Sequence, residues 1–153
     1  MRLARQLSSD LVLIAPGVSG RDELFQLFAD AFHRAGLVGS PDEVVRRLEE
    51  REAILSTGIG GGVAVPHAQI PGLGRLVMAA SIHPEGIDYP ALDDRPVRLV
   101  FCLIGDASTA ADHLAGLARL ARLARRGEAL DELIRSPDGE SFVASLTRLE
   151  EGP

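Results

Sequence analysis

The chain has 153 residues, 46% hydrophobic and 25% charged, with a formal net charge of −6 at pH 7; this suits one globular domain over 1–153, and the acidic balance argues against a nucleic-acid partner, which needs a basic face. No apolar run approaches the ~20 residues that cross a bilayer, and Met1-Arg2-Leu3-Ala4-Arg5-Gln6 leads into no apolar signal segment. Neither membrane insertion nor export is expected, the cytoplasm is the expected location, and the lone Cys102 excludes a disulfide framework or a cysteine metal site.

Leu11–Ile14 reads as a first strand closed by Pro16-Gly17. Ser19, with Asp22 three residues on, reads as a capped helix start. Leu24, Phe25, Leu27, Phe28, Ala31 and Phe32 then recur at helical spacing until Gly36, with His33 beside the stripe as a helix-surface or core-edge residue. Ser40-Pro41-Asp42-Glu43 starts a second helix, with Ser40 as cap, Pro41 in the first turn and Glu43 placed to complete a capping box. Val44, Val45, Leu48 and Ile54 form its apolar side, while Arg46, Arg47, Glu49, Glu50 and Glu52 are expected to stay wet. Arg51 is, by composition, one of several charges near the helix end.

Next comes Ser56-Thr57-Gly58-Ile59-Gly60-Gly61-Gly62-Val63-Ala64-Val65-Pro66-His67. Glycine backbones approach ligands closely, so Gly58 and Gly60–Gly62 are candidates for a small anion-binding concavity. Val63–Val65 reads as a short buried strand, and Pro66, which lacks a ladder donor, would stop it and set His67 at its mouth. No Lys-Ser or Lys-Thr follows the glycines, and the dinucleotide spacing is missing. The stretch therefore points to an imidazole that carries a group; a tight turn before a strand with a chance histidine is the plainer alternative.

Ala68–Gly74 is expected to be a loop, and Arg75–Ile82 a strand closed by His83-Pro84-Glu85-Gly86, with His83 exposed. After the Asp93–Pro96 turn, Val97–Ile104 reads as a central strand. A long helix follows, from about Thr109 to Arg126, with Leu114, Leu117, Leu120 and Leu123 inward and Arg119, Arg122, Arg125 and Arg126 on its solvated side and end. His113 falls near its first turn, where the helix dipole disfavours imidazolium and favours an adjacent anion. Glu128–Arg135 forms a short helix, and Ser136-Pro137 opens a last one with Phe142, Val143, Leu146 and Leu149 inward. Strands alternating with helices point to an α/β sandwich.

Three segments resemble one known family. Arg51-Glu52 with Ser56–Gly60 and Gly62–His67 is similar to the phosphorylation-site signature of enzyme IIA domains of the bacterial phosphotransferase system, in the fructose/mannitol and nitrogen-regulatory class. Ile87–Phe101 and Asp112-His113-Leu114 with Leu117 resemble that family's second and third segments, in order and at about its spacings, over roughly residues 5–150. The resemblance implies a small mixed β-sheet flanked by α-helices. It also implies a phosphoryl relay in which His67 accepts from the histidine-containing phosphocarrier protein and gives to an enzyme IIB cysteine, or has its phosphorylation state read by regulatory target proteins. On it we assign Arg51, the Thr57 hydroxyl and the backbone N–H groups of Gly60, Gly61 and Gly62 to the phosphoryl oxygens, with His113 donating a further hydrogen bond. No nucleotide, cofactor or metal is demanded by these residues. The competing class is a non-catalytic regulatory binding module on the same fold. Gln69-Ile70-Pro71 departs from the family pattern and leaves carrier preference on that side open.

Overall fold

A computed structural model describes residues 1–152. Its strands are β1 (Leu7–Ile14), β2 (Gly58–Gly60), β3 (Val63–Ala64), β4 (His67–Gln69), β5 (Val77–Ile87) and β6 (Val97–Gly105). Its helices are α1 (Arg21–Arg34), α2 (Pro41–Ile54), α3 (Ala110–Leu123), α4 (Gly127–Ile134) and α5 (Gly139–Glu151). The fold is the expected α/β arrangement with a mixed sheet, in the order β1-β5-β6-β3-β2, with β4 also on β6. β6 is buried along nearly its whole length, as a strand apolar on both faces must be. It runs antiparallel to β5 and parallel to both β3 and β4.

Local chemistry explains most element ends. Ser40 accepts the Glu43 N–H at 3.2 Å and Pro41 occupies the first turn of α2, but Glu43 turns to Arg47 at 3.1 Å instead of closing the box. Beyond α1, Gly36 takes a φ of 74° and the Leu37 N–H reaches the Phe32 carbonyl at 3.0 Å, a left-handed stop that glycine makes without steric cost. The start of α1 differs from expectation: Gly20 is the cap residue, and the Ser19 hydroxyl bonds Glu23. Asp138, not Ser136, caps α5 by accepting the Ser141 N–H at 2.7 Å.

Three further expectations are corrected. β5 runs on through His83-Pro84-Glu85-Gly86, with a register break against β6 between Ile82 and Ile87. His83 is therefore buried, with its Nε2 at 2.8 Å from the Ser81 hydroxyl, because the strand continues where Pro84 suggested a turn. On α3 the buried side is His113, Gly116, Leu120 and Leu123, and Leu114 stands 70% exposed. A helix begun at Ala110 turns position 113, rather than 114, onto β6. Finally, part of the expected Ala68–Gly74 loop pairs as β4, so Pro66 interrupts pairing along one edge of β6 without ending it.

Gly58 is the tightest point of the chain entry to the site. A Cβ there would overlap the Pro90 carbonyl and come within 2.7 Å of the Ala91 Cα, both backbone atoms that cannot swing away. Gly58→Ala should cost roughly 1–3 kcal/mol of stability in urea unfolding, the usual range for overpacking, whereas Gly17→Ala, with open space around it, should change stability by less than about 0.5 kcal/mol. Equal midpoints for the two variants would contradict this account of the Gly58 contact.

Candidate functional site

Three elements converge on one cleft. Pairing along β6 lapses at Val65 and Pro66, between β3 and β4, and the Pro66 carbonyl, accepting the Leu103 N–H at 3.0 Å, keeps the break local. His67 opens β4 opposite Leu103. The C-terminal turn of α2 supplies Arg51, and the first turns of α3 supply His113. The cleft holds about 450 Å³ and is walled by Arg47, Arg51, His67, Gln69, His113 and Leu114. Ile54, 80% exposed, stands with Leu114 on its margin.

The contacts of His67 fix its tautomer. Nδ1 lies 2.8 Å from the Val65 carbonyl, which only accepts, so Nδ1 carries the proton. Nε2 lies 3.2 Å from Arg51 Nε, which only donates, so Nε2 keeps a lone pair. A second Arg51 nitrogen donates to the Leu55 carbonyl at 2.8 Å, holding the guanidinium across the end of α2. The His113 ring meets His67 nearly edge to face, at 5.2 Å between centroids and 70°. Both His113 nitrogens are buried and unpartnered among the described residues.

Electrostatics keep both rings neutral. Burial lowers the pKa of His67 below its ordinary value; the Val65 carbonyl opposes this, Arg51 adds to it and Glu52 opposes it. Burial pushes His113 down to about 4, with the neighbouring His67 adding to the effect. The cleft thus offers a neutral imidazole whose unprotonated Nε2 accepts from an adjacent guanidinium, and a second imidazole without a partner among the described residues. These are parts suited to nucleophilic transfer of an anionic group.

Of the residues assigned from sequence, His67, His113 and Arg51 meet in this cleft. Thr57 and the glycines do not. The Thr57 hydroxyl is buried, donating to Glu52 at 2.6 Å and lying 2.6 Å from the Tyr89 hydroxyl, so both its roles are taken. Gly60–Gly62 form the β2–β3 hairpin turn: the Gly61 N–H goes to Asp93 at 3.0 Å, and the Gly62 carbonyl accepts from Arg98 and Leu99. Arg98 lies along β6 from Leu103, the partner of His67, by a stretch worth about 16 Å at strand spacing. The glycine amides therefore close a turn and do not face His67.

Sequence reasoning missed Glu52 and Tyr89. Glu52 is expected on the wet side of α2, yet it is buried with Val44 and Leu48. The signal was present, since positions 44, 48 and 52 share a helix face at four-residue spacing. Tyr89 sits in a segment noted only for its resemblance, and its hydroxyl completes the polar set around Thr57.

The fold and cleft define a small α/β protein built around a neutral imidazole pair beside an arginine. Residues 5–148 match the family model described as "Phosphoenolpyruvate-dependent sugar phosphotransferase system, EIIA 2", and the chain belongs to this family. It is 31% identical over 147 residues to a nitrogen regulatory protein of Bradyrhizobium diazoefficiens, covering 95% of each chain. It is 27% identical over 142 residues to the fructose-specific EIIA component of Haloferax volcanii, covering 93% of this chain and 92% of that one. Among solved structures, the nitrogen regulatory protein IIA-Ntr from Neisseria meningitidis superposes with a TM-score of 0.87 at 26% identity, over 94% of this chain and 97% of that one.

Burial of neutral histidines has a consequence for acid stability. His83 and His113 are both lowered to about 4 in the folded chain, against 6.5 when unfolded, so between those values the unfolded chain binds more protons. Stability should fall as pH drops from about 6.5 to about 4 and then level off with respect to these groups. In urea unfolding at stepped pH, His83→Gln should flatten part of that fall; a wild-type midpoint constant across the window would refute the assignment.

Proposed function

We propose that this protein is a phosphoryl carrier in which neutral His67 takes a phosphoryl group on Nε2 from the histidine-containing phosphocarrier protein and passes it on. The onward step leads either to an enzyme IIB cysteine in sugar uptake or to a regulatory state read by target proteins. The observation that carries this reading is the opposed pair of hydrogen bonds on His67, which leave Nε2 unprotonated and facing the cleft. In the first transfer Nε2 attacks phosphorus in line with the donor's P–N bond, which breaks, its electron pair returning to the donor imidazole. Nδ1 keeps its proton throughout, so the ring gains positive charge while the Val65 carbonyl is already aimed at that N–H. In the second transfer a cysteine thiolate attacks phosphorus, the Nε2–P bond breaks with its pair returning to Nε2, and neutral His67 is restored.

Arg51 and His113 stabilise the transferred group. Arg51 Nε–H, which rests on Nε2, moves to a phosphoryl oxygen once Nε2 is bonded to phosphorus. His113 supplies one N–H to a second oxygen, giving its unpartnered ring the acceptor it lacks. No step calls for a nucleotide or a metal, because positioning and charge neutralisation serve the transfer. Similarity to nitrogen regulatory proteins in both sequence and structure supports the regulatory output, and the fructose-specific relative supports the transport output.

Incubation with phosphoenolpyruvate, enzyme I and the carrier should place acid-labile phosphate on the wild type and none on His67→Ala; equal labelling would reject the reading. Arg51→Ala should slow transfer by roughly 1.5–3 kcal/mol, the worth of a charge-assisted contact, and an unchanged rate would remove Arg51 from the site. His113→Ala should retain the first labelling and slow onward transfer, measured as decay of the labelled species on addition of an acceptor.

A further inference from the structure

Beneath the cleft lies a buried polar chain that the transfer reaction does not use directly. Glu52, 7% exposed, accepts the Thr57 N–H at 3.1 Å and the Thr57 hydroxyl at 2.6 Å. Since that hydroxyl spends its hydrogen on Glu52, the Tyr89 O–H, 2.6 Å away, donates to the Thr57 oxygen. An obligate donor, the Thr57 N–H, reaches both Glu52 oxygens at 3.1 and 3.3 Å, and the Thr57 hydroxyl donates to one of them. The Thr57 carbonyl in turn accepts the Val65 N–H at 2.9 Å, and the Val65 carbonyl accepts Nδ1–H of His67 at 2.8 Å. Hydrogen bonds thus fix both ends of Thr57 and of Val65, so the two residues link a buried carboxyl group mechanically to the imidazole.

We propose that Glu52 is a positioning residue for His67: an ionised buried carboxylate that fixes the Val65 carbonyl, and with it the imidazole tautomer, and whose charge offsets the positive charge the ring takes on during transfer. Two features separate this from a purely structural role. Glu52 adjoins Arg51 in sequence but bonds the opposite way, so one helix end delivers a cation to the cleft and an anion below it. The two also act on His67 with opposite sign, Arg51 disfavouring its proton and Glu52 favouring it. The other titratable or charged groups lining this cleft are His113 from α3 and Arg47 and Glu50 from α2.

The rate arm of the test rests on the phosphoryl-carrier reading, whereas the titration arm does not. Carbon-detected NMR of the wild type should find the Glu52 carboxyl ionised at pH 7, and nitrogen shifts should place the His67 proton on Nδ1. Glu52→Gln keeps the size and an acceptor for the Thr57 N–H but removes the charge. It should lower the His67 titration midpoint by about half a pH unit or more and slow phosphoryl transfer about tenfold, with Glu52→Asp recovering part of both. Tyr89→Phe, which removes an O–H and no charge, should leave the His67 midpoint in place. A protonated Glu52 at pH 7 in the wild type, or a Glu52→Gln midpoint equal to wild type, overturns the proposal; the first measurement needs no variant, so a Glu52→Gln that fails to fold leaves it decidable. If His67 takes no phosphate while its midpoint moves as expected, the carrier reading fails and the positioning role stands.

Discussion

The hydrogen bond from His67 Nδ1 to the Val65 carbonyl is the constraint on which the site depends. It exists because Val65 faces away from β6. Its N–H goes to the Thr57 carbonyl on the β2 side, whereas Pro66, which has no N–H to give, offers β6 only its carbonyl, to the Leu103 N–H. The Val65 carbonyl, on the same side as its N–H, takes the imidazole two residues on. Since β3 and β4 both lie along the same edge of β6, the lapse in pairing between them is bridged on either side and the ring gains no freedom from it.

Where sequence and structure agree, the determinants are local. The Ser40-Pro41 start of α2, the Gly36 stop of α1 and the doubly apolar β6 each follow from a few neighbouring residues. The histidine at a strand start was legible for the same reason, since Pro66 announces it. The disagreements arise where distant segments decide. Nothing within Gly60–Gly62 reveals that Asp93, some thirty positions on, takes the Gly61 amide, so a glycine run suited to an anion is spent closing a hairpin. Burial of Glu52 is costly for a lone carboxylate and is tolerated because the Thr57 N–H and hydroxyl fold back onto it, a contact that local composition does not display. Pro84 suggests an exposed turn at His83, but an irregularity in the strand accommodates that proline.

The two imidazoles are held at a cost to the fold. A buried polar atom without a partner destabilises by roughly 1–3 kcal/mol, and both nitrogens of His113 are in that position. Replacing it with an apolar residue would remove that penalty, so packing alone does not explain the ring. The apolar margin works in the same direction. Ile54 and Leu114 gain nothing from exposure, but in the proposed cycle an apolar rim closing on a partner would exclude water from the transferred group and strengthen the charge-assisted contacts inside.

Arg51 joins these features, because in the proposed cycle one guanidinium serves two chemical states. Before transfer its Nε–H occupies the lone pair that must attack, which shields the nucleophile from a proton and holds the ring still. That bond must be given up as phosphorus approaches, and the loss is offset only if the same N–H meets a phosphoryl oxygen at once. The Leu55 carbonyl makes this exchange a small rotation, since it anchors another nitrogen of the fork while Nε changes partner. A lysine at this position would lack a second point of attachment and would swing as a free point charge. In the proposed cycle the planar fork, pinned at the end of α2, is therefore what lets one side chain protect the nucleophile at rest and stabilise its product.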